Sequence, residues 1–187
     1  LSQARRILAQ TQDAQSRRGI GIDLNALLDA IISAKAEDGL LLITKKNTWD
    51  SHPKNHYELI ECVDQDSVAE NGWFGFSIVN EVNQNENIHG DDENYTSYYE
   101  AYFYAETGGT WYFATDSDDA SEIEIDGQVV ASWYGGHRPS GDWSHSGSIE
   151  LDVGWHRFIY RHEERTGEQA AKAAFKDPDG TEWRQFS

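Results

Sequence analysis

Methionine is absent from this chain of 187 residues, and cysteine occurs once, as Cys62. A single cysteine excludes an internal disulfide, and no Cys/His spacing of the structural-zinc kind is present. Basic residues are scarce: 15 Lys and Arg stand against 33 Asp and Glu, for a net charge of −18. Such a chain repels nucleic acid and anionic lipid. No apolar run approaches the length of a membrane span. There is no phosphate-binding glycine loop, no nucleophile elbow and no triad signature, so an enzyme is not expected. The seven histidines (His52, His56, His89, His137, His145, His156, His162) show no paired metal-ligand spacing. With no Met at position 1, the chain is expected to be processed or truncated, with any signal or anchor upstream of Leu1.

What is present divides into two regions. Residues 1–36 contain none of the three prolines and are rich in Ala, Leu, Arg and Gln, which favours helix. Asp23 suits an N-cap, and Leu24, Leu27, Leu28, Ile31 and Ile32 follow at the spacing of one helical face. Gly39 suits the residue past the helix end. From Leu40 onward the period changes to two. Residues 40–44 form an apolar run. Residues 98–105 place Tyr99, Ala101 and Phe103 on one face. Residues 122–130 place Ile123 and Ile125 inward and Glu122 and Glu124 outward, with Asp126-Gly127 as a tight hairpin turn. Residues 148–160 put Ile149, Leu151 and Val153 on one face before Gly154, and 171–175 add another strand. Asp177-Pro178-Asp179-Gly180 has the order of a type I turn. Residues 80–96, rich in Asn, Asp and Glu, read as one long loop. Short strands with frequent turns predict an antiparallel β-sandwich over residues 39–187, preceded by a helical segment over 1–38.

The segment with the most chemistry begins at Gly109-Thr110-Trp111-Tyr112-Phe113 and runs into Thr115-Asp116-Ser117-Asp118-Asp119. From residue types alone, Asp116, Asp118 and Asp119 either cap a turn or converge on a cation. Ile125-Asp126-Gly127 and Leu151-Asp152-Val153-Gly154-Trp155-His156 follow. This order resembles the anthrax protective antigen fourteen-kilodalton domain family, closely over about 75 residues and loosely back to Leu40. The resemblance implies a β-sandwich whose adjacent acids, here Asp118 and Asp119, chelate one calcium ion, often across a cis peptide. It further implies that sugar hydroxyls complete the shell. The remaining protein ligands are expected in residues 162–169, where Glu163, Glu164, Thr166, Glu168 and Gln169 all offer oxygens, and Glu164 and Gln169 are expected among the residues that bind the ligand. Ala120 stands where the family often has Gly.

A third loop, residues 133–146, carries Trp133, Tyr134, His137 and Trp143. Aromatics beside glycines and polar groups suit stacking on a pyranose ring; Trp133 and Trp143 could equally pack the sandwich edge. The N-terminal segment is similar to the lower stalk helix of type IV pilins and type II secretion pseudopilins, or is an amphipathic helix packed on the sandwich. Together these readings predict a bacterial cell-surface protein, facing the periplasm before any assembly. Its expected role is calcium-dependent glycan binding or adhesion, with pilin-like subunits as further partners. The alternative is a structural pilin or pseudopilin subunit with no ligand of its own.

Overall fold

The computed structural model describes residues 39–64 and 73–186. The pilin-like stalk expected over 1–38 lies outside the described residues. The strands are β1 (Leu40–Lys46), β2 (Trp73–Val79), β3 (Asn83–Gln84), β4 (Tyr95–Ala105), β5 (Gly109–Asp118), β6 (Ser121–Ile125), β7 (Gln128–Trp133), β8 (His145–Leu151), β9 (Gly154–Glu164), β10 (Ala170–Lys176) and β11 (Arg184–Gln185), with helix α1 (His56–Asp64) between β1 and β2.

Strand alternation assigns these elements to two antiparallel sheets that face each other. The larger has the order β2-β1-β4-β9-β6-β7, and the smaller β11-β10-β5-β8 with β3 on β10. Leu40, Leu42, Tyr99, Ile123, Ile125, Phe158 and Tyr160 of the larger sheet meet Trp111, Phe113, Ala171 and Ala173 of the smaller. Phe103 of the larger sheet meets Phe113 of the smaller edge to face, with ring centroids 6.0 Å apart. The expected sandwich core is therefore present, with Tyr99, Ala101, Phe103, Ile123, Ile125, Ile149 and Leu151 on its side.

Three details differ from the sequence reading. Val153 is exposed rather than inward. It sits at the crossover from β8 in the smaller sheet to β9 in the larger, where alternation restarts. Glu122 and Glu124 do face away from the core, but both are buried. Arg161 of β9 donates to Glu122 Oε1 and Glu124 Oε2, each at 2.8 Å, which offsets their desolvation. Helix α1 covers part of this outer face, packing Leu59 and Val63 on Leu41, Ile43, Tyr98 and Ile159. Its start is capped by Asn55: Asn55 Oδ1 accepts the Glu58 N–H at 3.0 Å, and Glu58 Oε1 accepts from the Asn55 side-chain amide at 2.8 Å. The run Leu40–Leu42 is apolar throughout because β1 is covered on both faces.

The Asp177 turn forms as read, with the Gly180 N–H donating to the Asp177 carbonyl at 3.0 Å. At the edge between sheets, a Cβ on Gly147 would lie 1.9 Å from the Val130 carbonyl oxygen, so the backbones of β7 and β8 need a glycine there.

Candidate functional site

The C-terminal ends of β5 and β9 lie together at one end of the sandwich. Here the core turns polar. Thr115, Ser117 and Ser121 point inward, with Ser121 Oγ 2.5 Å from Thr115 Oγ1 and 2.7 Å from Ser117 Oγ. Above them β5 turns into β6 through Asp118-Asp119, whose peptide bond is cis, as the resemblance implies. The turn is tied to β9 by two backbone bonds: Asp119 N–H to the Glu163 carbonyl at 3.2 Å, and Glu163 N–H to the Ala120 carbonyl at 2.8 Å. His162 Nε2–H donates to the Asp118 carbonyl at 2.8 Å. Burial lowers His162 to about 4, so the ring is neutral and its other nitrogen carries no proton.

Alternation on β9 then sends Glu163 and Glu164 to opposite sides. Glu164 joins Asp118 and Asp119: one carboxylate oxygen from each lies within 4.8 Å of the others, and all three residues are buried. Both Glu164 oxygens are buried with no hydrogen-bond partner. Burial, then the charges of Asp119, Asp118 and Glu163, push its carboxyl up to about 9. Burial and the neighbouring Asp119 push Asp118 up to about 6. Three crowded carboxylates, two of them with raised pKa values, make an all-oxygen set suited to a hard cation. The Tyr95 hydroxyl is also buried and unpartnered. Burial and the charges of Glu164, Asp92 and Asp118, with Tyr160 adding to them, hold its pKa far above the usual phenol range.

Glu163 faces a separate group. Asn47 donates to its Oε1 at 2.7 Å, and His52 Nδ1 lies 3.1 Å from its Oε2 and 3.5 Å from Asp119 Oδ2. Burial raises Glu163 to about 7 against the pull of His52. His52, Asp119 and Glu163 are also close enough to share an ion, but their hydrogen bonds already account for their placement.

Of the other candidates, His137 belongs to this end of the molecule. Its N–H donates to Asp119 Oδ1 at 3.1 Å, and its Nδ1 donates to the Ser117 carbonyl at 3.1 Å. Trp133 is stacked between His137 and His145, with ring centroids 3.5 and 3.6 Å away and planes nearly parallel. Two rings that close to one centroid must occupy opposite faces, so neither face of Trp133 is free for a sugar. Tyr134 lies apart from the Asp pair, donating its hydroxyl to Glu122 Oε2 at 2.8 Å on the outer face of the larger sheet. Trp143 is half-buried and lies 6.4 Å from Trp183, whose ring carries the Lys176 ammonium. Gln169 turns back to donate to the Gly167 carbonyl at 2.7 Å. Sequence reasoning did not find Tyr95, His52 or Asn47 at this end of the molecule, whereas His162 opens the segment it placed there. Those three come from other segments, and no local spacing marks them.

No family model matches the chain, and no curated protein matches its sequence. Solved structures do match its fold. The PA14 domain of the MpAFP antifreeze protein aligns with a TM-score of 0.64 and 16% identity, over 80% of this chain and 87% of that one. The PA14 sugar-binding domain from an RTX adhesin gives 0.61 and 16%, over 80% and 94%. The A domain of epithelial adhesin 9 from Candida glabrata, in complex with Galβ1-4GlcNAc, gives 0.56 and 13%, over 81% and 87%. The chain therefore has a PA14-type fold.

Proposed function

We propose that this protein is a calcium-dependent glycan-binding module of the adhesion type, acting outside the cell and not as an enzyme. The observation that carries the reading is Glu164: a carboxylate with both oxygens buried and unpaired, aimed at Asp118 and Asp119. An unpaired buried charge is costly, and a bound cation offsets that cost. Asp118, Asp119 and Glu164 would hold calcium. The ion, when bound, supplies open coordination positions that vicinal sugar hydroxyls can fill. The remaining work is done by the chain itself. His162 fixes the Asp118 carbonyl, the Asn47 and His52 contacts keep Glu163 turned aside, and His137 braces Asp119. Further support comes from the fold: one similar structure is a sugar-binding domain and another holds a disaccharide.

Calorimetric titration with calcium, with Asp119→Ala as control, tests the ion. Binding by the wild type and none by the variant is expected; no heat and no thermal shift in the wild type overturn the reading. A glycan array in calcium and in chelator tests the ligand, and signal lost on chelation is expected. A blank array in calcium would leave only the ion.

A further inference from the structure

Asp116 belongs to the same acidic run as Asp118 and Asp119 but has a different occupation. Odd-numbered residues of β5 point into the sandwich, where Trp111, Phe113, Thr115 and Ser117 are buried, and even-numbered ones point outward. Tyr112, on that outer face, is 43% exposed, whereas Asp116, two pleats along, is 3% exposed. The difference is the backbone of residues 140–141, which folds down over it. Asp116 Oδ1 accepts the Ser140 N–H at 2.6 Å and the Ser140 hydroxyl at 3.1 Å, and Oδ2 accepts the Gly141 N–H at 3.0 Å. Gly141 has φ +74°, the left-handed conformation that lets consecutive N–H groups converge on one anion. β5 has no strand partner from β8 at this point, since the ladder ends at Thr115 and His145. The loop takes the strand's place, bonded to a side chain instead of to the backbone.

Thus the segment 134–144 is fixed to β5 at two ends. One anchor is His137, bonded to Asp119 and to the Ser117 carbonyl. The other is Asp116. Arg138 lies between them, exposed, and its charge is near enough to Asp118 to favour that group's ionised form. We infer that Asp116 is a positioning residue for the ligand face. It holds the loop beside the Asp118-Asp119 pair without binding the cation: both its oxygens accept from the loop, and it joins neither group of convergent acids at that end. This rests on the reading of that pair as a calcium-dependent glycan site. The loop is the wall a ligand meets, and Asp116 sets where that wall stands.

The test uses Asp116→Asn, whose amide group brings a donor against the Gly141 N–H, and Ser140→Pro, which removes two of the loop's three donors and leaves the carboxylate intact. Three measurements are made on each folded variant: hydrogen exchange at the Gly141 amide, with Ser140 added for Asp116→Asn; calcium affinity by calorimetry; and glycan-array signal in calcium. Expected are exchange at least tenfold faster, calcium Kd within about threefold of wild type, and array signal at least tenfold lower. Unchanged exchange in Asp116→Asn overturns the inference. So does a calcium affinity that falls more than threefold in Asp116→Asn, which would make Asp116 a ligand. Full array signal with the amides deprotected also overturns it. A wild type blank on the array sinks the glycan reading, while exchange and calcium affinity still decide what Asp116 holds.

Discussion

Replacing Glu164 by Gln should strengthen the calcium-free fold while removing its response to calcium. The carboxyl sits at about 9 in the fold against an ordinary 4.5. Between those values the native state binds a proton that the unfolded chain does not. Stability from this group is therefore fully present below pH 4.5 and declines as pH rises toward 9. At pH 7 the linkage amounts to about 3 kcal/mol, and side-chain relaxation reduces it to about 1–3 kcal/mol. A neutral amide of the same shape avoids that cost, and its N–H groups can donate to Asp118 or Asp119. Across a domain of this size, Glu164→Gln in chelator at pH 7 should melt roughly 3–10 °C above wild type. With calcium at about one hundred times Kd, wild type should gain about 2.7 kcal/mol, and the variant far less. The assay is thermal unfolding at pH 5, 7 and 9, in chelator and in calcium. In chelator the wild-type melting temperature should fall with pH more steeply than the variant's. A variant less stable than wild type in chelator, or one with the full calcium shift, would refute the reasoning.

Other perturbations reach different parts of the molecule. His156 is partly desolvated, which lowers its pKa, but bonds to Asp126 Oδ2 at 2.6 Å and to the Asp152 carbonyl outweigh this and raise it. That stabilisation is present below the ordinary 6.5 and is lost as pH rises through the raised value. Because the Asp126 side chain is 46% exposed, the effect should be only a few tenths of a kcal/mol, and Asp126→Asn should flatten it in melts between pH 6 and 8. Gly147→Ala drives a Cβ into the Val130 carbonyl, so urea unfolding should show a loss of about 1–3 kcal/mol. Asn55→Ala removes the acceptor at the start of α1 and should cost about 1 kcal/mol in the same measurement.

The β character of the described strands could be read directly because pleating is local. Alternation at Tyr99, Ala101 and Phe103, and at Ile123 and Ile125, marks one buried face whatever lies across from it. Turn chemistry is equally local, and Asp177 to Gly180 closes as its residue order says. Val153 misled because alternation carries no record of where a chain leaves one sheet for the other. Glu122 and Glu124 were rightly turned from the core, but their burial depends on Arg161, which stands across the β6–β9 ladder. Residues 56–64 went unread as a helix although Asn55 and Glu58 have capping-box spacing.

The strand pattern and the acidic run 116–119 at a strand's end are legible in the chain alone, since they depend on neighbouring residues. What each acid does follows from the tertiary fold. Five carboxylates within that run and β9 look alike in sequence, yet one accepts three loop donors, one is held by His52 and Asn47, and Glu164 is left unpaired against Asp118. Trp133 likewise reads as a free aromatic until His137 and His145 are found on its two faces. Burial and hydrogen-bond supply are set by segments far apart in the chain. Those two quantities govern whether a carboxylate is a brace or a cation ligand.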